Sequence, residues 1–227
     1  MSKLFKLTIL ILISVLTNAN ISADHSTVIM FDLHDVILQF STKQALSGFW
    51  RIPNKLAFLK SVRKYFKSNQ AGEHIAIEKF ALENPSTLDQ QRAVLQTINP
   101  HQPNPNMLRL LKELKAQGIR IFICSNIGER SYQELVKRYP DTFDLIDGCI
   151  YSRAQDAYIK KDNPKFWCQI SNLIPMDNSK IIFVDDKSKN LELAQAMVPQ
   201  IKGLQFKSPD QLRTALIQAG LLAKNSN

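Results

Sequence analysis

Three short apolar runs, each closed by a small polar or acidic residue, restrict the fold of this chain more than any other feature. Val28-Ile29-Met30-Phe31 precedes Asp32, Ile119-Arg120-Ile121-Phe122-Ile123-Cys124 precedes Ser125, and Ile181-Ile182-Phe183-Val184 precedes Asp185-Asp186. Runs that are apolar at nearly every position, separated by helical patterns, predict parallel strands covered on both faces. In an open parallel sheet, ligands bind beyond the carboxyl ends of the strands. If the three strands are neighbours, Asp32, Ser125 and Asp186 meet in one crevice, with Lys161 arriving between the last two runs.

The segments between the runs complete the pattern. Residues 107–117 form an amphipathic helix that Gly118 ends as a C-terminal cap, and 129–138 form another with Pro140 beyond it. A short strand is expected at 148–151, helix at 164–173 and 189–197, and a final strand at 203–206. Ser208 is the N-cap and Pro209 the first position of a last helix that reaches residue 222. Strand and helix alternate, which gives the α/β class: a doubly wound, parallel-sheet, Rossmann-like core.

Between 41 and 99 the apolar residues recur at helical spacing instead. Leu59, Val62 and Phe66 fit one stripe, Ile77, Phe80 and Ala81 another, and Val94, Leu95 and Ile98 a third. Pro53, Gly72 and Pro85 separate short helices, and the proline-rich joint at 99–105 returns the chain to the core. The expected organisation is a core of 24–40 and 100–227 with a helical insertion at 41–99.

At 227 residues the chain fits one α/β domain with a small insert. The formal charge of +9 comes from Lys and Arg spread along the chain without a block of five. That spread predicts a solvated basic surface and no nucleic-acid partner. Lys3 and Lys6 precede an uncharged stretch, 7–23, whose apolar heart is 7–16. A basic end, an apolar stretch and small residues predict a secretory signal peptide, cleaved after Ala23 or Ala19, hence an exported protein. An uncleaved membrane anchor is the alternative, but the heart is short of the about 20 residues of a spanning helix, so no stable span is expected. Cys124, Cys149 and Cys168 have no metal-ligand spacing. The apolar runs around Cys124 and Cys149 predict buried free thiols, with one disulfide as the other possibility.

The order of the polar residues resembles the haloacid dehalogenase-like (HAD) hydrolase superfamily, dominated by magnesium-dependent phosphohydrolases. Four motifs carry the resemblance: Phe31-Asp32-Leu33-His34-Asp35-Val36-Ile37, Cys124-Ser125-Asn126, Lys161-Asp162-Asn163-Pro164-Lys165-Phe166-Trp167, and Val184-Asp185-Asp186-Lys187-Ser188-Lys189-Asn190. The resemblance implies that the insertion is a small cap over the site. It implies Asp32 as the nucleophile that forms an aspartyl-phosphate, with Ser125, the Asn126 backbone amide and Lys161 on the phosphate of a small phosphorylated substrate. Lys160 is the fallback if the loop register differs by one. Mg²⁺ is implied between Asp32, Asp186 and the backbone carbonyl of His34, with Asp185 supporting it and Asn190 behind.

One position departs from the family pattern. The phosphatases of the superfamily carry Asp two residues after the nucleophile, as proton donor to the leaving alcohol, and this chain carries His34. Imidazole titrates near neutrality and can perform the same transfer. Without such transfer the rate falls by roughly 10²–10⁴-fold, so a catalytically impaired HAD-fold binding or interaction protein is the alternative reading. Asp35 is expected to point elsewhere, His74 beside Glu73 to be a surface histidine, and His25 and His101 to flank turns without a role.

Overall fold

A computed structural model of the chain describes residues 27–68, 88–153, 159–174 and 180–223. Residues 1–23, where an export segment is expected, and His25, Gly72, Glu73, His74, Ile77, Phe80, Ala81 and Pro85 lie outside the described residues. In chain order, β1 (Thr27–Phe31) leads through β2 (Leu38–Phe40) to α1 (Thr42–Trp50), α2 (Lys55–Ser68) and α3 (Leu88–Ile98). Then follow β3 (His101–Pro103), α4 (Pro105–Ala116), β4 (Arg120–Gly128), α5 (Glu129–Arg138), α6 (Pro140–Phe143) and β5 (Gly148–Ser152). The chain closes with α7 (Pro164–Trp167), α8 (Ile170–Leu173), β6 (Lys180–Asp185), α9 (Ser188–Met197), β7 (Ile201–Gln205) and α10 (Pro209–Gln218).

The main sheet has five parallel strands in the order β5-β4-β1-β6-β7, so the chain reverses direction across the sheet at β1. Successive residues of a strand face opposite sides, and both sides are apolar here. Ile29, Phe31, Ile121, Ile123, Ile182 and Val184 pack with residues of α4, α5 and α10. Val28, Met30, Phe122, Phe183 and Cys124 pack with Phe166, Trp167, Ile170, Leu191 and Ala194 on the other side. This two-sided burial is why the runs read as continuous rather than alternating. Among the described residues, no helix is long and apolar enough to cross a membrane.

Local chemistry sets the helix ends. Asn104 caps α4 by accepting from the amides of Asn106 and Met107, Pro105 starts it, and Gly118 just beyond has φ 74°. Ser208 accepts from the Gln211 amide and Pro209 opens α10. The helix expected at 164–173 is instead two short ones, α7 and α8. Gln169 N donates to Phe166 O and Asn172 N to Gln169 O, three residues back. These tighter turns let Phe166, Trp167 and Ile170 all reach the core.

Two features differ from the sequence expectation outside the main sheet. The proline-rich joint contains a strand: β3 pairs antiparallel with β2, placing Phe40 against His101 and Leu38 against Pro103. Leu59, expected on an inward stripe, is exposed, while Phe58 beside it packs with Ile52, Ala93 and Val94. The side chains of Val62 and Phe66 are outside the described set.

Helices α1 and α3 meet at Gly48. A Cβ added there would lie 2.5 Å from Thr97 Oγ1, 2.7 Å from Thr97 N and 2.8 Å from Ala93 O. Two of these three atoms are backbone and cannot turn aside. We therefore expect Gly48→Ala to lower stability by about 1–3 kcal/mol, read as an earlier urea midpoint. A midpoint equal to that of the native chain would contradict this packing.

Candidate active site

The strand register brings the acidic residues together. Phe31 of β1 lies beside Ile123 of β4 and Val184 of β6, so Asp32, Cys124 and Asp185 follow at one level. All three share the face of Val28 and Met30, the side covered by α7 and α9. The Asp32 amide donates to Val184 O at 2.8 Å, and its carboxylate accepts from the Leu33 amide at 2.7 Å. Asp186 stands one residue beyond the end of β6.

Lys161 reaches this level from the loop after β5. Its ammonium is 3.0 Å from Asp32 Oδ1 and 2.6 Å from Asp185 Oδ2, and the side chain is almost wholly buried. Its backbone is held from both sides: Lys161 N donates to Asn126 Oδ1 at 2.7 Å, and Trp167 Nε1 donates to Lys161 O at 2.8 Å. Lys160, one residue earlier, accepts through its carbonyl from Asn163 N at 2.9 Å. Asp185 also accepts from Lys187 N at 2.8 Å and from Asn190 Nδ2 at 2.9 and 3.0 Å, so donors reach both of its oxygens.

The cluster's charges are strongly coupled. Burial would lower the Lys161 pKa, but Asp32 and Asp185 more than reverse that and hold it above the usual lysine value. Asp32 is raised, by burial first and by the Asp185 charge, with Lys161 acting against both. Asp186 is also raised, chiefly by burial and by Asp185.

Asp186 Oδ1 is buried and has no hydrogen-bond partner. A buried carboxylate oxygen without a donor is costly unless a cation meets it. Asp32, Asp185 and Asp186 each offer an oxygen, and the three oxygens lie within 4.8 Å of one another. An all-oxygen set of this kind suits a hard divalent cation such as magnesium, calcium or manganese. The residues therefore fit a metal of that class.

Ser125 and Asn126 occupy an irregular stretch of β4. That strand runs to Gly128 rather than ending at Cys124, and its register with β5 shifts between Cys124 and Gly128. Such irregularities re-aim side chains at strand ends. Ser125 is buried, with Oγ accepting from Ile127 N at 3.3 Å. The sequence points only to the Asn126 backbone, whereas its side chain fixes the Lys161 loop. Ser152 fastens the same region by donating to Ile159 O at 2.9 Å. Nothing in the spacing of Asn126, Ser152 and Lys161 signals that they meet.

His34 turns toward the insertion. Its Nε2 is 3.0 Å from Asn99 Oδ1, and the same oxygen is 2.7 Å from His101 Nδ1. The two imidazole centroids are 4.4 Å apart, edge to face. His101, expected only to flank a turn, thus belongs to the surroundings of His34. The cause is the β2–β3 pairing, which folds the joint back over the loop after β1. Asp35 is exposed, in the left-handed region at φ 61°, and points away as expected. Cys124 is buried and Cys149 only partly so, Cys168 is exposed, and all three are free. Burial pushes the Cys124 thiol far above its usual pKa, so it stays protonated beside the cluster.

Three comparisons bear on this arrangement. The chain is 32% identical over 102 residues to the sesquiterpene phosphatase astK of Aspergillus oryzae, a match covering 45% of this chain and 50% of that relative. The chain therefore spans about half the length of that relative. The HAD-hydrolase YfnB of Bacillus subtilis, bound to magnesium, superposes with a TM-score of 0.53 at 15% identity, over 79% of this chain and 87% of that one. The L-2-haloacid dehalogenase of Xanthobacter autotrophicus does so with 0.52 at 15% identity, over 88% and 84%. At such identities the likeness establishes the shared fold. The family model for haloacid dehalogenase-like hydrolases matches residues 26–197, and with the parallel sheet and its acidic crevice this makes the chain a member of the haloacid dehalogenase-like hydrolase family.

Proposed function

We propose that the chain is a magnesium-dependent phosphohydrolase that cleaves a small phosphomonoester through an aspartyl-phosphate on Asp32. The observation that carries this reading is the buried Asp32 carboxylate at the end of the central strand, 3.0 Å from the Lys161 ammonium and grouped with Asp185 and Asp186. A phosphatase among its relatives supports it.

In this reading one Asp32 oxygen attacks phosphorus, the ester P–O bond breaks, and the alcohol departs with a proton. Water then cleaves the acyl phosphate and returns Asp32 to its starting state. Lys161 offsets the charge of the incoming phosphate and fixes Asp32; Ser125 and the Asn126 amide would hold phosphate oxygens. A magnesium ion held by Asp32, Asp186 and the His34 carbonyl would draw the phosphate dianion to the carboxylate and steady its charge. Asp185, anchored by Lys161, Lys187 N and Asn190, would support Asp186 from behind. His34 would give the proton to the leaving oxygen. The helices between β2 and β3 would cap the crevice and exclude water, and residues 1–23 would direct export or, uncleaved, anchor the protein.

A second reading, a catalytically impaired HAD-fold binding protein, draws on one observation. The His34 ring is engaged by Asn99 and packed on His101 at the place where the family's phosphatases keep a carboxylate.

Two measurements separate the readings, and a third tests the ion pairs on which both rest. With 4-nitrophenyl phosphate and with a sesquiterpene phosphate, turnover should require magnesium, stop on chelation, and vanish in Asp32→Asn. Inactivity of the folded native chain on every phosphate ester, or release of chloride from 2-chloropropionate, would turn the reading away from phosphatase.

His34→Ala should slow an alkyl phosphate by about 10²–10⁴-fold and the aryl ester much less, because nitrophenolate departs without a proton. Equal rates for both proteins on the alkyl ester would remove His34 from the reaction.

Lys161→Met leaves two buried carboxylates without their cation. It should cost about 3–5 kcal/mol of stability, seen as a lower denaturant midpoint in the absence of metal. An unchanged midpoint would mean that the ion pairs do not form as described.

A further inference from the structure

Helices α1 and α2 each bury one side among the described residues and expose large apolar side chains on another. On α1, Gly48 is buried against α3, while Lys43, Leu46 and Trp50 lie three and seven residues along one exposed stripe. Leu46 is 52% exposed and Trp50 69%. On α2, Phe58 is buried, while Leu56, Leu59, Lys60 and Arg63 form the corresponding exposed stripe. Leu56 is 66% exposed. Lys55 joins the two helices, its ammonium 5.6 Å from the Trp50 ring centroid. Among the described residues, most of the large exposed apolar side chains lie here, Leu46, Trp50, Leu56 and Leu59, with Phe40 on β2 and Leu173 and Met197 elsewhere.

The charge of the same stretch is one-sided. From 36 to 72 the sequence has Lys or Arg at 43, 51, 55, 60, 63, 64 and 67 and no Asp or Glu at all, in a chain whose total charge is +9. A solvated basic face has no use for Trp and Leu among its lysines. An apolar protein partner would not call for the exposed Lys43, Lys60 and Arg63 on two helices that carry no acid. A nucleic acid would satisfy the cations and could stack on Trp50, yet it offers nothing to Leu46, Leu56 and Leu59. A bilayer with anionic headgroups satisfies both parts, because apolar side chains enter the headgroup boundary while Lys and Arg stay at the phosphates.

We propose that the outer faces of α1 and α2 form a docking surface for an anionic lipid bilayer. The surface lies outside the Asp32 cluster, and the inference does not depend on the reaction catalysed there.

Trp50 itself provides the readout, since the chain has two tryptophans and the other, Trp167, is 1% exposed. The full chain is mixed with vesicles of brominated phosphatidylcholine, with and without phosphatidylglycerol, and tryptophan emission is followed. The apolar stretch at 7–23 could bring any variant to a vesicle, so quenching of Trp50 is measured rather than sedimentation. Anionic vesicles should quench and blue-shift the emission, neutral ones much less, and added salt should reverse the effect. The triple variant K43Q/K60Q/R63Q should bind anionic vesicles about 100-fold more weakly, at roughly fivefold per cation. L56S/L59S should lose the quenching, and Trp50→Phe should leave only an emission insensitive to bromine. Circular dichroism and the urea midpoint show that each variant is folded. Absence of quenching with anionic vesicles, equal quenching with neutral ones, or unchanged quenching in the folded triple variant would each overturn the proposal. So would salt-dependent binding to RNA or DNA by a chain that ignores the vesicles.

Discussion

The Lys161 ammonium, placed between the Asp32 and Asp185 carboxylates, is the interaction on which the rest of the site depends. Two buried carboxylates at one level of adjacent strands repel each other in a medium of low dielectric. Lys161, at 3.0 and 2.6 Å, places a cation between them. The cation is itself buried, so its loop must be fixed by something other than its charge. Asn126 holds its amide, Trp167 holds its carbonyl, and Phe183 lies beneath the ammonium at 5.6 Å. Trp167 therefore links the apolar core on one face of the sheet to the position of one proton-bearing nitrogen. Loosening that core would move a charge.

The arrangement also divides the acids between two tasks. Asp185 has donors on both oxygens and is an anchor. Asp186, one residue on and past the end of the strand, is partly exposed and keeps one oxygen without a donor, although its carboxylate still comes within 4.8 Å of those of Asp32 and Asp185. The pair belongs together: one carboxylate holds the lysine, and the other is left able to meet a cation.

Much of this was legible in the sequence because it rests on local rules. Buried parallel strands announce themselves as unbroken apolar runs, and the runs at 28–31 and 181–184 end within one residue of the strands they predict. The helix at 129–138 and the caps at Gly118 and Ser208 follow from backbone chemistry that needs no tertiary context. What sequence could not supply is long-range. The β2–β3 pair is only three residues on each side, and one of them is proline, so no pattern identifies it. Its consequence, His101 against His34, is a contact across 67 positions. The inward residue of α2 failed for a related reason: Leu56, Phe58 and Leu59 are all apolar, and periodicity cannot choose which faces in when a basic amphipathic helix is apolar on both sides.

That failure and the departure at His34 concern the same part of the molecule. His34 is bound not by the core that fixes Asp32 but by Asn99, the first residue after α3, and by His101 on β3. Asn99 N donates to Leu95 O within the end of α3, so the amide that orients the ring is continuous with the insertion. A carboxylate at position 34 would have no need of such a partner, since water and backbone donors suffice for it. An imidazole at this position instead meets the Asn99 side-chain amide, 3.0 Å from its Nε2. The substitution thus ties the one unusual residue of the site to the position of the helices above it. A displacement of α3 relative to the sheet must either carry the ring along or break its hydrogen bond. Lys161 and Asp32, held by strands and by Trp167, would stay where they are.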